Sequence, residues 1–143
     1  MLRAVIIEDI DTIRKKNIDL IRQNCPSIAI IGQANSVESG VNLIKQIVPD
    51  LVFLDVEMPD GTGFDLLQRL KPINFKVIFI TGYDGFAVRA FRFCAIDYLL
   101  KPLDPIELIE AVSKAENSLN KEVFEHKLNT LFTNLERPKN LQK

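Results

Sequence analysis

The sequence contains one histidine, two cysteines and no tryptophan among its 143 residues. A metal site built from several histidines is therefore excluded, and a Ser-His-Asp triad would depend on His126 alone. Cys25 and Cys94 lie far apart and form no C-x-x-C spacing, so we interpret both as structural thiols. The chemistry of this chain has to be sought among other side chains.

Long hydrophobic runs and a strong charge of one sign are also missing. No stretch approaches the roughly 20 consecutive apolar residues of a membrane-spanning helix, and the N-terminal run reaches Glu8 too soon for a signal peptide. The formal net charge of -1 provides no global attraction to nucleic acid or to an anionic membrane. We expect a cytoplasmic protein of one domain with no membrane insertion.

Short apolar runs rich in β-branched residues alternate with segments of helical spacing. Because the runs are apolar throughout, they predict strands covered on both faces, as in a parallel sheet with helices above and below. Five such units predict an α/β fold with a doubly wound, five-stranded parallel sheet. The predicted strands cover residues 4–7, 28–31, 51–54, 77–80 and 98–100.

The last predicted helix has a clear start signal. Asp104 offers an N-cap acid, Pro105 stands at the first helical position and Glu107 stands two positions later. An apolar stripe continues through residues 124–135, and a polar stretch broken by proline follows at 137–140. We interpret that stretch as the start of a linker. The helix is predicted to pack through one face, because its apolar residues are spaced four, three and four apart, at Leu108, Val112, Ala115 and Leu119.

Polar residues follow the predicted strands at their carboxyl ends, where sheets of this type bind ligands. Glu8 and Asp9 follow the first strand and Asp55 follows the third. Thr81 follows the fourth strand and Lys101 follows the fifth. Three carboxylates, a hydroxyl and an ammonium group are therefore predicted to meet at one edge of the sheet.

Three neighbouring carboxylates repel one another, so this group of residues predicts a bound cation. Oxygen ligands with room for water favour Mg²⁺ over Ca²⁺ or Zn²⁺. Together with the metal, the Lys101 ammonium and the Thr81 hydroxyl match the oxygens of a phosphoryl group. Asp55 is left as the nucleophile. Taken alone, an acid at a strand end is also compatible with a simple turn or helix cap.

Four motifs in this order resemble those of the receiver domain of two-component response regulators. They are Ile6-Ile-Glu-Asp9, Leu54-Asp-Val-Glu-Met-Pro-Asp-Gly61, Ile80-Thr81 and Asp97-Tyr-Leu-Leu-Lys-Pro102, and the similarity covers about residues 3–120. The resemblance implies a flavodoxin-like receiver fold with strand order 2-1-3-4-5. It also implies a receiver domain at 1–122, followed by a helical extension and the start of a linker to an absent output domain at 123–143.

The resemblance also implies a role for each site residue. Asp55 accepts a phosphoryl group from a phosphohistidine on a sensor histidine kinase. Asp9, Asp55 and the backbone carbonyl of Glu57 bind Mg²⁺, and Glu8 acts on the metal through water. Lys101 pairs with the phosphoryl group.

The resemblance also implies that three further residues take part in the response to phosphorylation. Pro102, preceded by a cis bond, shapes the loop that aims the lysine. Thr81 moves toward the new phosphate and Tyr98 turns inward, which alters the face formed by the fourth helix, fifth strand and fifth helix. By position alone, Tyr98 is equally a half-buried core residue. The protein is not expected to be an enzyme beyond accepting and losing its own phosphoryl group.

The stretch 80–102 resembles receivers of the LytTR class, with an aromatic and an acidic residue after the threonine and an Ala-Phe segment in the fourth helix. Receivers of that class precede a DNA-binding domain of β-strand type. We therefore expect this chain to be the receiver of a longer transcription regulator, which contacts DNA only through the absent domain. Arg89 and Arg92 pair with Asp97 or with a second copy in a phosphorylation-dependent homodimer, or they form a solvated face.

Two other classes of function remain as alternatives. An Mg²⁺-dependent phosphatase of the haloacid dehalogenase type also uses an aspartate at a strand end, but its nucleophile belongs to the first strand region and not to the third. A pseudo-receiver that binds partners without phosphorylation usually lacks the acid pair, the phosphoacceptor or the lysine, and all three are present here. A flavodoxin-like flavin carrier is disfavoured because Glu8 and Asp9 would repel the flavin phosphate.

Overall fold

The computed structural model describes residues 1–82, 85 and 95–117. Within these residues, helices separate the first four strands of one sheet and another helix follows the fifth strand. A short antiparallel hairpin of Glu57–Met58 and Gly61–Thr62 follows the third strand. The fourth helix predicted from the sequence lies outside the described residues. The elements are β1 Leu2–Ile7, α1 Asp11–Asn24, β2 Ile28–Ala34, α2 Val37–Ile47, β3 Leu51–Leu54, α3 Gly63–Arg69, β4 Lys76–Thr81, β5 Asp97–Leu100 and α4 Pro105–Glu116.

The five strands form one sheet in the order β2-β1-β3-β4-β5, and all neighbouring strands are parallel. This confirms the predicted fold class and strand order. The carboxyl ends of all five strands consequently point to the same edge of the sheet. The sites predicted after β1, β3, β4 and β5 share that edge.

Two hydrophobic cores lie on opposite faces of the sheet because successive side chains of a strand point to opposite sides. Val5, Val52 and Phe79 belong to the core that includes residues of α2 and α3. Ala4 and Phe53 belong to the core that includes residues of α1 and α4. Complete burial of one large apolar side chain contributes about 1.5–3 kcal/mol relative to its exposed state.

Burial follows the position of each strand in the sheet. All residues of β3 and β4 are buried, as predicted for strands covered on both faces. The edge strand β2 is only partly covered, and Ile31 is 36% exposed. The prediction of full coverage was wrong for this strand, because an apolar run does not show whether a strand lies in the middle or at the edge.

Side chains cap the starts of α2, α3 and α4, whereas α1 has no side-chain cap. The Asp104 side chain accepts a hydrogen bond from the Glu107 N–H and Pro105 is the first residue of α4, which confirms the predicted start signal. Leu108, Val112 and Ala115 are buried, as the periodicity predicted, whereas Leu119 lies outside the described residues.

Several further expectations fall on parts of the chain that the structure does not describe. These are His126, Cys94, Arg89, Arg92, the stripe at 124–135 and the domain boundary at 122–123. Cys25 is described and is a buried free thiol, as predicted. No helix within residues 1–82 and 95–117 is long and apolar enough to cross a membrane.

Candidate functional site

Glu8 and Asp9 are placed by the end of β1. The Glu8 N–H continues the sheet by donating to the Ala34 carbonyl at 3.0 Å. The Glu8 side chain is only 2% exposed, and its Oε2 accepts a hydrogen bond from the Ile10 N–H at 3.1 Å. Asp9 is half-buried. The first strand therefore delivers one buried and one half-buried carboxylate, as predicted.

Asp55 follows β3 directly and is held by the neighbouring strand, since its N–H donates to the Ile7 carbonyl at 3.0 Å. Its side chain is 5% exposed, and its Oδ1 accepts a long hydrogen bond from the Glu57 N–H at 3.4 Å. Gly63 closes the loop behind it. A Cβ at Gly63 would lie only 2.6 Å from the Asp55 carbonyl oxygen, so the backbone can approach this closely only at a glycine.

Lys101 follows β5 and reaches across the edge of the sheet. Its N–H donates to the Thr81 carbonyl at 2.8 Å, and the Lys101-Pro102 peptide bond is cis, as predicted. Its Nζ lies 2.5 Å from Glu8 Oε1 and 3.0 Å from Asp55 Oδ2. Burial alone would lower the pKa of Lys101, but its contacts with Glu8 and Asp55 outweigh burial and raise the pKa.

The Glu8 carboxyl group has a strongly raised pKa. Burial raises the pKa of its carboxyl group from 4.5 to about 7, against the opposing effect of Lys101 and with a further increase from the charge of Asp55. Three carboxylates face one ammonium group, which leaves two negative charges when all are ionised. The pocket therefore has an excess of negative charge that a divalent cation would balance.

Glu8, Asp9 and Asp55 meet the requirements of a hard cation. One carboxylate oxygen from each lies within 4.8 Å of the others, so that a single ion could contact all three. The ligand atoms are all oxygens, as Mg²⁺ prefers. These three residues are the ones that would hold the metal.

Glu57 and Thr81 occupy the remaining predicted positions at this edge. Glu57 begins the hairpin after Asp55, and the residue is exposed. Its N–H donates to Asp55, whereas metal binding by its carbonyl stays a prediction. Thr81 is the last residue of β4 and is fully buried. Its hydroxyl has no hydrogen-bond partner among the residues that the structure describes.

Tyr98 lies in β5, half-buried and packed against the core. Its ring centroid is 6.3 Å from that of Phe79, at an angle of 46°. This is the position of a half-buried core residue, and the switch role of Tyr98 stays a prediction. Asp97, the preceding residue, pairs with Lys114 of α4 at 2.9 Å.

Two residues beside the site were missed by sequence reasoning. Arg14 of α1 donates from Nη1 to the Glu8 carbonyl at 2.7 Å and from Nε to Gln33 at 2.7 Å, and it pairs with Asp11. Asp60 was named only within the motif of residues 54–61, yet its carboxylate binds the start of α2. A lone arginine on a helix carries no sequence signal for such a role. The Pro-Asp-Gly sequence at 59–61 is typical of a turn, but it does not identify what Asp60 binds.

The fold and the cluster of acids beside a lysine define a signalling domain of the receiver type. A family model described as the response regulator receiver domain matches residues 4–113. The chain belongs to this family. The resemblance stated from the motifs is thereby confirmed.

Known relatives carry names that agree with this assignment. An uncharacterised response regulatory protein of Vibrio parahaemolyticus is 34% identical over 92% of this chain and 54% of its own length. The sensory transduction protein LytT of Bacillus cereus is 31% identical over 80% of this chain and 47% of its own length. The chain thus spans about half the length of the curated relatives that it matches.

Solved structures of receivers share the fold. The receiver domain of AraT, a response regulator from Geobacillus stearothermophilus, superposes with a TM-score of 0.74 at 33% identity. The superposition covers 85% of this chain and 97% of that domain. This similarity agrees with the observed strand order.

Proposed function

We propose that this chain is a phosphoacceptor receiver in which Asp55 accepts a phosphoryl group from a phosphohistidine of a sensor histidine kinase, with Mg²⁺ as cofactor. One observation carries the proposal. The Lys101 ammonium contacts both Asp55 and Glu8, and these two carboxylates together with Asp9 can share one cation. Family membership supports the same reading.

The proposed transfer forms one bond and breaks one. A carboxylate oxygen of Asp55 bonds to phosphorus while the bond from phosphorus to the histidine nitrogen breaks, and that nitrogen keeps the electron pair. A bound Mg²⁺ would neutralise charge on the phosphoryl oxygens. Lys101 starts 3.0 Å from Asp55 Oδ2 and is placed to pair with the new phosphoryl group.

The proposed response uses residues beside the phosphorylated aspartate. The Thr81 hydroxyl, which lacks a partner among the described residues, would donate to a phosphoryl oxygen. Tyr98 would turn inward as Thr81 moves, and the changed face would control an output domain that binds DNA and regulates transcription. The LytTR class, a phosphorylation-dependent homodimer and a cytoplasmic location belong to the same proposal. The chain would not act as an enzyme on separate substrates.

Intact-mass spectrometry tests this function directly. The wild-type protein is incubated with acetyl phosphate, with Mg²⁺ or with EDTA, beside Asp55→Asn and Asp19→Asn. Asp55→Asn removes the nucleophile at nearly constant shape, whereas Asp19 is an exposed acid on α1. We expect one added phosphoryl group in wild type and in Asp19→Asn, only with Mg²⁺, and none in Asp55→Asn.

The other outcomes favour the alternatives. Steady multiple turnover of a phosphomonoester would indicate a phosphatase. No phosphoryl gain and no measurable Mg²⁺ binding in the wild type would indicate a pseudo-receiver that binds partners through its fold alone.

A further inference from the structure

Asp60 links the loop after the phosphoacceptor to a helix elsewhere in the chain. It lies in the turn of the hairpin that follows Asp55. Its Oδ1 accepts a hydrogen bond from the Val37 N–H at 2.8 Å, and its Oδ2 accepts one from the Glu38 N–H at 3.0 Å. Both oxygens of one carboxylate are thus engaged by the first turn of α2.

These two amides are the ones that the cap of α2 does not reach. Ser36 Oγ accepts from the Ser39 N–H at 3.0 Å, and Ser39 Oγ accepts from the Ser36 N–H at 3.1 Å. Asp60 supplies acceptors for the other two of the four amides that a helix start leaves without partners. The bonds from Glu38 and Val37 lower the pKa of Asp60, as expected for hydrogen bonds to the charged form.

The hairpin connects Asp60, which is bound to α2, with Glu57. In its two-residue ladder Glu57 pairs with Thr62 and Met58 pairs with Gly61, the residue directly after Asp60. Gly61 has a φ of 147°, a backbone conformation that residues other than glycine rarely adopt, so the turn requires a glycine after Asp60. Fixing Asp60 on α2 therefore limits how far the Glu57 backbone can move from the Asp55 carboxylate.

We propose that Asp60 is a positioning residue for the metal site. Its attachment to α2 holds residues 56–61 in the conformation in which the Glu57 backbone lies against Asp55, and this raises the affinity for Mg²⁺ and the rate of phosphoryl acceptance. The inference rests on the proposed function, because it assigns Asp60 to the same site.

The test compares Asp60→Ala and Asp60→Asn with a charge control. Glu38→Gln also removes one negative charge at the start of α2, but it keeps the Glu38 N–H that donates to Asp60. The Glu38 side chain pairs instead with Arg69 of α3 at 2.9 Å, on the exposed surface. The dissociation constant for Mg²⁺ is measured by calorimetry at a temperature where circular dichroism shows every variant folded.

We expect Asp60→Ala to raise the dissociation constant about tenfold, the low end of the cost of losing a residue that orients metal ligands. Asp60→Asn keeps one acceptor oxygen and should show a smaller increase. Glu38→Gln should stay within about twofold of wild type, since exposed charges are screened. Phosphorylation by acetyl phosphate at subsaturating Mg²⁺ should slow in the same order.

Hydrogen exchange separates positioning from simple capping. In Asp60→Ala the amides of 37–38 should exchange faster, and so should those of the hairpin. If the variant loses thermal stability while the Mg²⁺ dissociation constant and the hairpin exchange stay at wild-type values, Asp60 only caps α2 and the inference is wrong. Equal weakening by Glu38→Gln would assign the effect to charge and would also overturn it.

The failure of the proposed function would look different. If the wild type binds no Mg²⁺ and gains no phosphoryl group, the function fails and the inference falls with it. If the wild type does both and Asp60→Ala matches it, only the inference fails.

Discussion

Glu8 has a raised pKa although an ammonium group lies 2.5 Å from one of its oxygens. Burial costs the charged carboxylate its hydration, and one lysine shared with Asp55 does not replace it. The folded protein therefore holds a proton on Glu8 at pH values where the unfolded chain has lost it. In the absence of metal, this residue makes folding depend on pH.

The sign of that dependence follows from the two pKa values. The folded value of about 7 lies above the reference value of 4.5, so the contribution of Glu8 to stability is greatest below 4.5 and is lost as pH rises to about 7. Glu8→Gln has no proton to lose. We expect the melting temperature of the wild type in Mg²⁺-free buffer to fall relative to that of Glu8→Gln across this range. Parallel curves by circular dichroism would contradict the raised pKa.

At the scale of elements, the start of α3 packs closely against Asp55. The Gly63 N–H donates to the Val56 carbonyl at 2.8 Å, and the space where a Cβ would stand is occupied by the Asp55 carbonyl oxygen. The obstacle is backbone, which cannot turn aside as a flexible side chain can. The close packing of α3 on the end of β3 thus requires a glycine.

We expect Gly63→Ala to lower the free energy of unfolding by about 1–3 kcal/mol, because the added methyl group forces a backbone shift. Gly82→Ala is the matched control, since no atom of the described part of the chain lies within 4 Å of a Cβ there. It should leave the stability unchanged or raise it by up to about 1 kcal/mol. Urea unfolding measures both, and an equal loss in the two variants would contradict the steric explanation.

At the scale of the whole molecule, a nearly neutral chain has a local excess of negative charge at the site. The chain has a formal net charge of -1, whereas the three carboxylates and one lysine of the site carry two excess negative charges when ionised. A ligand that binds only the folded state stabilises it by mass action. Mg²⁺ should therefore act on the stability of the entire domain.

We expect Mg²⁺ at ten times its dissociation constant to stabilise the wild type by about 1.4 kcal/mol. Asp55→Asn, which loses a charged ligand, should respond less at the same concentration. Calorimetry measures the shift, with NaCl at matched ionic strength as the control. A similar rise with NaCl would indicate general screening of the acids and not a metal site.

Local patterns in the sequence were enough to predict the strands and the placement of most site residues. Residues 51–54 coincide with β3, and the other predicted strands differ from the observed ones only at their ends. Alternation of strands and helices depends on local periodicity, which short stretches of sequence carry. Because parallel strands end at one edge, Glu8, Asp9, Asp55 and Lys101 could be placed together before the structure was considered.

The contacts between groups far apart in sequence became apparent only in the folded chain. It paired Lys101 with Glu8 as well as with Asp55, and it placed Asp60 on amides that lie 23 and 22 residues away in sequence. It also showed that Ile31 is partly exposed on an edge strand. Such contacts depend on how whole elements pack in three dimensions, and no local pattern of residues records that packing.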